Sequence, residues 1–347
     1  GAGDRRFRQA GDGVVSGQAE NTSGFMSRID LRVLAPFLAL ALLLVLGAFS
    51  NPNFLTVTNL MNVATRSAFI AIIAVGATFV ISAGGLDLSV GSMVAFVASL
   101  MIMFINTAVI SNPYLLIAAA MVLAILIGMA CGLLNGVITT VGRIEPFIVT
   151  LGTMGIFRGL TTWLSQGGAI TLKDFDVQSA YRPAYFGTVF GIPVPVIAIV
   201  VTALIGAFVL YRTRFGRHVI AVGSNEEVAR YSGISVRNVR IITYLIQGLC
   251  VAVAVLFYVP RLGSTSATTG ILWELQAITA VVVGGTALRG GVGRIWGTIC
   301  GAFILEIVGN IMLLSNFISE YLIAAIQGTI IIIAMLVQRS LFNRQKG

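Results

Sequence analysis

Charge is what this chain has least of. Only 10% of its 347 residues are Asp, Glu, Lys or Arg, against 57% hydrophobic, whereas a soluble domain has about a quarter of its residues charged. That scarcity excludes an ordinary water-soluble globule. Histidine occurs once, at His218, on a basic stretch where it reads as a surface residue and builds no catalytic constellation. The three cysteines, Cys131, Cys250 and Cys300, fall inside apolar runs with no CxxC or Cys/His spacing, which argues against disulfides and metal sites. The phosphate-binding pattern GxxxxGK[ST] is also missing. If ATP drives this protein, another chain binds it.

What the chain has is long apolar runs. Several stretches of about 17 or more nearly uncharged residues reach the length that crosses a bilayer core. The expected fold class is therefore all-α, a polytopic membrane protein. The spans read as about Val33–Phe49, Val57–Ala83, Leu88–Asn106, Tyr114–Val141, Pro146–Ser165, Val194–Tyr211, Ile241–Val259, Trp273–Gly285, Ile295–Leu314 and Glu320–Val337, about ten transmembrane helices in one domain over 31–340. Residues 1–30 are rich in Gly, Arg, Gln and Ser without an apolar period and are expected to be a disordered tail; 341–347 form a second tail. No small-residue cleavage site follows the first span, so a removed signal peptide is not expected.

The net charge of +9 follows from where the charges lie rather than from a nucleic-acid partner, and none is expected. With both termini cytoplasmic, the interior connections collect Arg143, six arginines between 212 and 240, Arg289, Arg294, Arg339, Arg344 and Lys346. The exterior ones keep Lys173, Arg182 and Arg261. That asymmetry is the positive-inside bias. The longest exterior loop, 166–193, is expected to meet an external partner.

An internal repeat is possible. Ala71, Ile72, Ala74, Val75, Gly84, Gly85 and Gly91 recur as Ala277, Ile278, Ala280, Val281, Gly290, Gly291 and Gly297, an offset of 206 (277 − 71). Duplicated halves are common in transporters, though matches among Ala, Val and Gly also arise by chance in such a composition. Glycines every fourth residue, at Gly128, Gly132 and Gly136 and at Gly293, Gly297 and Gly301, let helices approach closely. Packing within one chain is the plainer reading, and pairing of chains the other.

The polar loop 212–240 stands out between apolar spans. Ser224 followed by Glu227 three residues on has the form of a capping box, with Asn225, Glu226, Ala229 and Arg230 beside or within the helix it starts. Gly233 stands where a helix ends in a left-handed residue. A helix of about two turns is too short to be stable alone, so it needs something to dock against. A solvated, capped connector is the alternative. A second stretch, Gly84-Gly85-Leu86-Asp87-Leu88-Ser89-Val90-Gly91, interrupts an apolar run with glycines and an acid, so the helix is expected to break there. Asp87 either caps the following helix, where the dipole favours a carboxylate, or is a functional ionisable group near membrane depth. Gly85 and Ser89 share its stretch.

Among polar residues within spans (Arg66, Asn135, Arg158, Glu274, Gln276, Glu306, Asn310), Asn135 and Asn310 cannot snorkel and are expected to face protein or a cavity, while Arg66, Arg158 and Glu274 lie nearer helix ends. Phe147, Phe157 and Trp163 are possible flat faces for a sugar, with core packing the commoner fate of each.

Three motifs carry a family resemblance. Asn225–Ile234 is similar to Asn-Glu-x-x-Ala/x-Arg-x-Ser-Gly-Ile, matched at Glu226, Arg230, Ser232, Gly233 and Ile234, with Val228 where alanine is more usual. Residues 84–91 resemble GGxDLSVG, and Ala280–Gly301 holds GGTxLxGGxGR followed by GTxxGA. Together they resemble the permease subunits of ribose/monosaccharide-type ABC importers, in the branched-chain amino acid/sugar permease superfamily, from about Asn51 to Val337. Branched-chain amino acid permeases usually carry an Asn-Phe-Ala-His-Gly type segment instead of Asp-Leu-Ser. The resemblance implies that Ser224, Asn225, Glu226, Glu227, Ala229, Arg230 and Gly233 couple to a separate cytoplasmic ATPase that binds ATP and Mg, this chain holding no cofactor. It also implies an external sugar-binding protein, a second permease chain and the bacterial inner membrane. Gly85, Asp87, Ser89, Asn135, Phe147, Phe157, Arg158, Glu274 and Asn310 are the pathway candidates. The expected cargo is a pentose, hexose or cyclic polyol such as inositol; the alternatives are branched-chain amino acids or a self-contained secondary carrier.

Overall fold

The computed structural model describes residues 31–315 and eight single positions between Leu322 and Leu336. The two tails and, apart from those positions, the expected span Glu320–Val337 lie outside the described residues. The elements in order are α1 (Leu31–Ser50), α2 (Val57–Ser82), α3 (Val90–Asn106), α4 (Pro113–Val141), α5 (Pro146–Ser165), β1 (Ala169–Thr171), α6 (Phe175–Tyr181), α7 (Pro183–Phe186), β2 (Thr188–Val189), β3 (Ile192–Pro193), α8 (Val194–Arg212), α9 (Arg214–Ser224), α10 (Glu226–Tyr231), α11 (Val236–Leu262), β4 (Ser264–Ser266), α12 (Trp273–Val283) and α13 (Ile295–Ser315). Seven of these, α1, α2, α4, α5, α8, α11 and α13, are long and apolar enough to cross a membrane. Two others are apolar but shorter. Helix α12, at 11 residues, is roughly 16 Å long, about half a hydrocarbon core.

Local chemistry sets the boundaries. Asn112 caps α4 by accepting from the amides of Tyr114 and Leu115, with Pro113 in the first turn, where a missing N–H costs nothing. Thr56 caps α2 in the same way through Asn59 N. The expected span Leu88–Asn106 starts two residues late, at Val90, because Asp87 and Ser89 hold a turn ahead of it.

Helix α2 is the axis of the bundle. Of its apolar window 78% is buried, against 11% for α1, and it packs on α8, α11, α12 and α13. Helix α1 lies outside, against α13. The glycine faces seal helix pairs within the chain. A Cβ on Gly132 would meet the carbonyl of Tyr244, and one on Gly128 that of Gly248, so α4 and α11 touch almost backbone to backbone. Gly297 and Gly301 bring α13 onto Gly284 and Ala280 in the same manner, while Gly293 precedes that helix.

The two stretches of the expected repeat do not keep the offset of 206 through their helices, although the helices end alike. Helices α2 and α12 both stop at a left-handed glycine, Gly84 (φ 81°) and Gly285 (φ 87°). Each stop has the same two bonds, Gly84 N to Ile81 O with Gly85 N to Val80 O, and Gly285 N to Val282 O with Thr286 N to Val281 O. The offset at this stop is 201 (285 − 84), not 206; five extra residues in the second loop restore the larger value by Gly91 and Gly297.

The connections expected on one side of the membrane meet at one end of the bundle. Gly291 N donates to Ser82 O, Ile295 N to the Tyr211 hydroxyl, and Gly223 lies against both Ser82 and Gly291. At the other end β1 pairs antiparallel with β4, Ile170 opposite Thr265, and the Asn106 side chain bridges Thr171 O and Lys173 N. The loop 166–193 is thus structured: Asp174 caps α6, Tyr181 donates to Leu256 O, and a β2–β3 hairpin turns at Phe190 and Gly191, both with positive φ. Burial pushes the Tyr181 hydroxyl above the usual phenol range.

Gly132→Val should overpack the α4–α11 contact and lower stability by about 1–3 kcal/mol, seen as a lower melting temperature in detergent. Gly155→Ala, whose Cβ would meet nothing within 4 Å, should leave it unchanged. Equal melting of the two variants would remove the close contact from the account.

Candidate functional site

The polar stretch after α8 folds as two helices rather than one. Thr213 caps α9 by accepting from Gly216 N, and its Val219 and Val222 are buried while Arg217 and His218 face out. The spacing Phe215, Val219, Ile220, Val222 behind a Thr cap carried that signal, and the sequence reading passed over it. Ser224 is the last residue of α9, so the expected capping box is displaced by one residue. Asn225 is the cap of α10, its Oδ1 accepting from Val228 N at 3.0 Å. The other end is as expected: Gly233 (φ 79°) follows the helix, with Gly233 N bonded to Arg230 O and Ile234 N to Ala229 O.

Helix α10 has an inward and an outward side. Ala229 is buried in a cluster with Leu210, Val219, Val222, Val236 and Val239. Glu226 is turned toward the bundle, and its two oxygens accept from Arg230 Nη2 (2.7 Å) and Arg240 Nη2 (2.8 Å). The second bond ties α10 to α11. Glu227, Val228 and Tyr231 point outward, Tyr231 being 89% exposed. Of the expected coupling residues, Glu226 and Ala229 therefore hold the helix in place, and the Glu227 carboxylate is exposed. Behind α10, a Cβ on Gly223 would strike Ser82 O, so α9 rests on the end of α2 and on the loop after α12 at Gly291.

The pathway candidates separate into three places. Asp87, Ser89 and Asn135 come together: Asp87 Oδ1 accepts from Ser89 N (2.9 Å) and Ser89 Oγ (2.6 Å), and Asn135 Nδ2 donates to Ser89 Oγ (2.8 Å). All three are buried. Asp87 thus closes the turn before α3 instead of capping the helix itself; Ser89 occupies the cap position without a side-chain bond. Gly85 is beside them, under the Tyr244 hydroxyl, which donates to Leu86 O. Asp87 Oδ2 and Asn135 Oδ1 are buried with no partner.

Arg158 and Glu274 form the second place. The Arg158 guanidinium donates to the carbonyls of Ala267 and Thr269, and the Glu274 carboxylate lies against Gly91 and within electrostatic reach of Arg158. Phe157 is buried and stacks on Phe96 with centroids 5.6 Å apart, so it packs the core instead of lining a path; Phe147 faces outward. Asn310 is the third, locked in a reciprocal amide pair with Asn59, both bonds 2.9 Å. It lines a cleft of about 480 Å³ at the β1–β4 end, with Arg66, Tyr185 and Arg261. Arg261 sits over the rings of Phe69 and Tyr185. Burial raises the Tyr185 hydroxyl, and the nearby Arg261 and Arg66 oppose that shift. No local pattern marks this cleft, since its members come from four separate segments.

Long apolar helices enclosing buried polar clusters, with a short capped helix held at one end, define an all-α polytopic membrane protein. The comparisons with known proteins say which. The chain belongs to the family described as branched-chain amino acid transport system / permease component, which matches residues 59–335. It is similar to the ribose import permease protein of Haemophilus influenzae, 36% identical over 89% of this chain and 94% of that one. Its similarity to the ribose import permease protein of Bacillus subtilis is 39% over 89% and 93%. The D-allose transport system permease protein of Escherichia coli is 33% identical over 85% and 88%.

Asn225→Ala should cost about 1 kcal/mol of local helix stability and speed amide exchange over 226–231, with Ser224→Ala having little effect. Faster exchange in the Ser224 variant alone would return the cap to Ser224.

Proposed function

We propose that this chain is the membrane subunit of an ATP-driven importer for a monosaccharide, a pentose or hexose, in the bacterial inner membrane. The observation that carries this is the similarity to ribose and allose permeases across most of both chains. It supports the monosaccharide part of the expected cargo, with a cyclic polyol such as inositol as the alternative, and the Asp-Leu-Ser stretch resembles the sugar permeases more than the amino acid ones. A separate ATPase binds ATP and Mg, and an external binding protein delivers the sugar.

Coupling enters through α10, whose outward residues Glu227, Val228 and Tyr231 meet the ATPase. Pinned to α11 by Glu226 and seated through Ala229 on α9, the helix passes movement to the glycine stops at Ser82–Gly85 and Gly290–Gly291, hinges shared by α2, α3, α12 and α13. The pathway then opens alternately to each side. Two copies pair along α5, where Gly152, Gly155 and Gly159 share an exposed face that meets nothing within 4 Å and offers the close approach small residues allow. The full count of about ten spans and both termini inside complete the reading.

Proteoliposomes holding this chain, its ATPase and its binding protein should accumulate labelled ribose or allose only with ATP, undiminished by excess leucine. Abolition by leucine would assign the amino acid class, and ATP-independent uptake a secondary carrier. Gly233→Val forces a β-branched residue into a left-handed position at about 1–3 kcal/mol of strain and should lower uptake by about tenfold with insertion unchanged. Glu227→Lys should weaken ATPase capture without loosening α10; capture equal to the parent's would end the docking role of that face. Gly155→Cys should give a crosslinked dimer in membranes, and only monomer would move the pairing elsewhere.

A further inference from the structure

The end of the bundle that carries α10 also holds an open cleft of about 690 Å³, between the α4–α5 turn and the start of α11. Four arginines line it, Arg143, Arg230, Arg237 and Arg240, with two carboxylates, Glu145 and Glu226. Arg230 and Arg240 share Glu226. Arg143 and Arg237 make no ion pair among the described residues, and Arg240 keeps a buried Nε–H with no acceptor. Four positive groups against two negative ones leave two charges uncompensated in one cleft. The positive end of α11, 27 residues long, opens into it at Ser235 and Val236, adding to the same sign. Guanidinium groups so gathered suit a phosphate, whose oxygens take paired N–H donors.

The rim says where that phosphate comes from. Val141, Ile144, Phe147 and Ile148 are exposed apolar side chains at and beside the α4–α5 turn, so the cleft stands where the hydrocarbon face of the bundle ends. Soluble anions need no such rim; acyl chains do. We propose that this cleft binds a phosphate group, supplied by the headgroup of an anionic phospholipid, which braces α10 and α11 against the α4–α5 turn. Basic pockets between spans commonly hold such headgroups.

The test is native mass spectrometry of the full-length chain in neutral detergent, titrated with phosphatidylglycerol or phosphatidylcholine. Phosphatidylglycerol should be retained preferentially. Arg143→Gln and Arg237→Gln should each weaken it about fivefold, and the pair about 25-fold. Both side chains are exposed, so the variants should melt like the parent; Arg217→Gln, on α9 outside the cleft, should bind as the parent does. Equal retention of the two lipids, or parent-like binding by the double variant, would overturn the proposal. Displacement of phosphatidylglycerol by about 1 mM inorganic phosphate would overturn the lipid as its source. A double variant that keeps the lipid but no longer captures the ATPase would give the cleft to that protein instead.

Discussion

Everything at the working end of this bundle depends on backbones that approach without side chains between them. Ser82 O accepts from Gly291 N although 209 residues separate them (291 − 82), and Gly223 fits over that bond because it has no Cβ. Any larger residue there would push α9 away from the end of α2 and the loop after α12. The same economy of atoms recurs at Gly91 against Gly270 and at Gly248 against Gly128. Small residues make these contacts because lipid tails, being as apolar as leucine, provide no hydrophobic drive between helices, leaving close packing to do the holding.

Much of this was legible in the sequence, and for identifiable reasons. Long apolar runs can be nothing but helices in a bilayer, since every backbone group must find its partner locally. Seven of the nine expected segments among the described residues are long and apolar enough to span, and eight of the nine appear as helices within a few residues. The exception is the stretch before α11, where the helix begins at Val236 rather than 241 because Ser235 can cap it. Helix α9 was missed because its arginines masked a periodic apolar face. The cap at Asn225 instead of Ser224 turns on one residue of backbone geometry, which pattern alone does not resolve. Pathway residues were harder still. Phe157 and Asn310 were chosen for their chemistry, and their partners Phe96 and Asn59 lie at distances in sequence that no local pattern spans.

The buried group Asp87–Ser89–Asn135 illustrates how a motif can be functional in appearance and structural in its contacts. One carboxylate oxygen holds the turn, linking the glycine stop of α2 to the first turn of α3, and Asn135 ties that turn to α4. The second oxygen has no partner, a costly condition for a buried polar atom. In the proposed coupling, that unsatisfied acceptor suits a turn that opens as the helices move.

Helix α10 meets two opposed demands. In the proposed coupling role it must be fixed on one side and free on the other, and six residues cannot supply rigidity of their own. Glu226 provides the fixed point by engaging two arginines on different helices, and Ala229 seats the helix in an apolar cluster. Val228 and Tyr231, large apolar or aromatic residues with nothing over them, occupy the free side. That exposed side is, in the proposed coupling role, the surface offered to the ATPase. Valine at 228, where the resembled motif more often has alanine, falls on that outward side and leaves the packing beneath undisturbed.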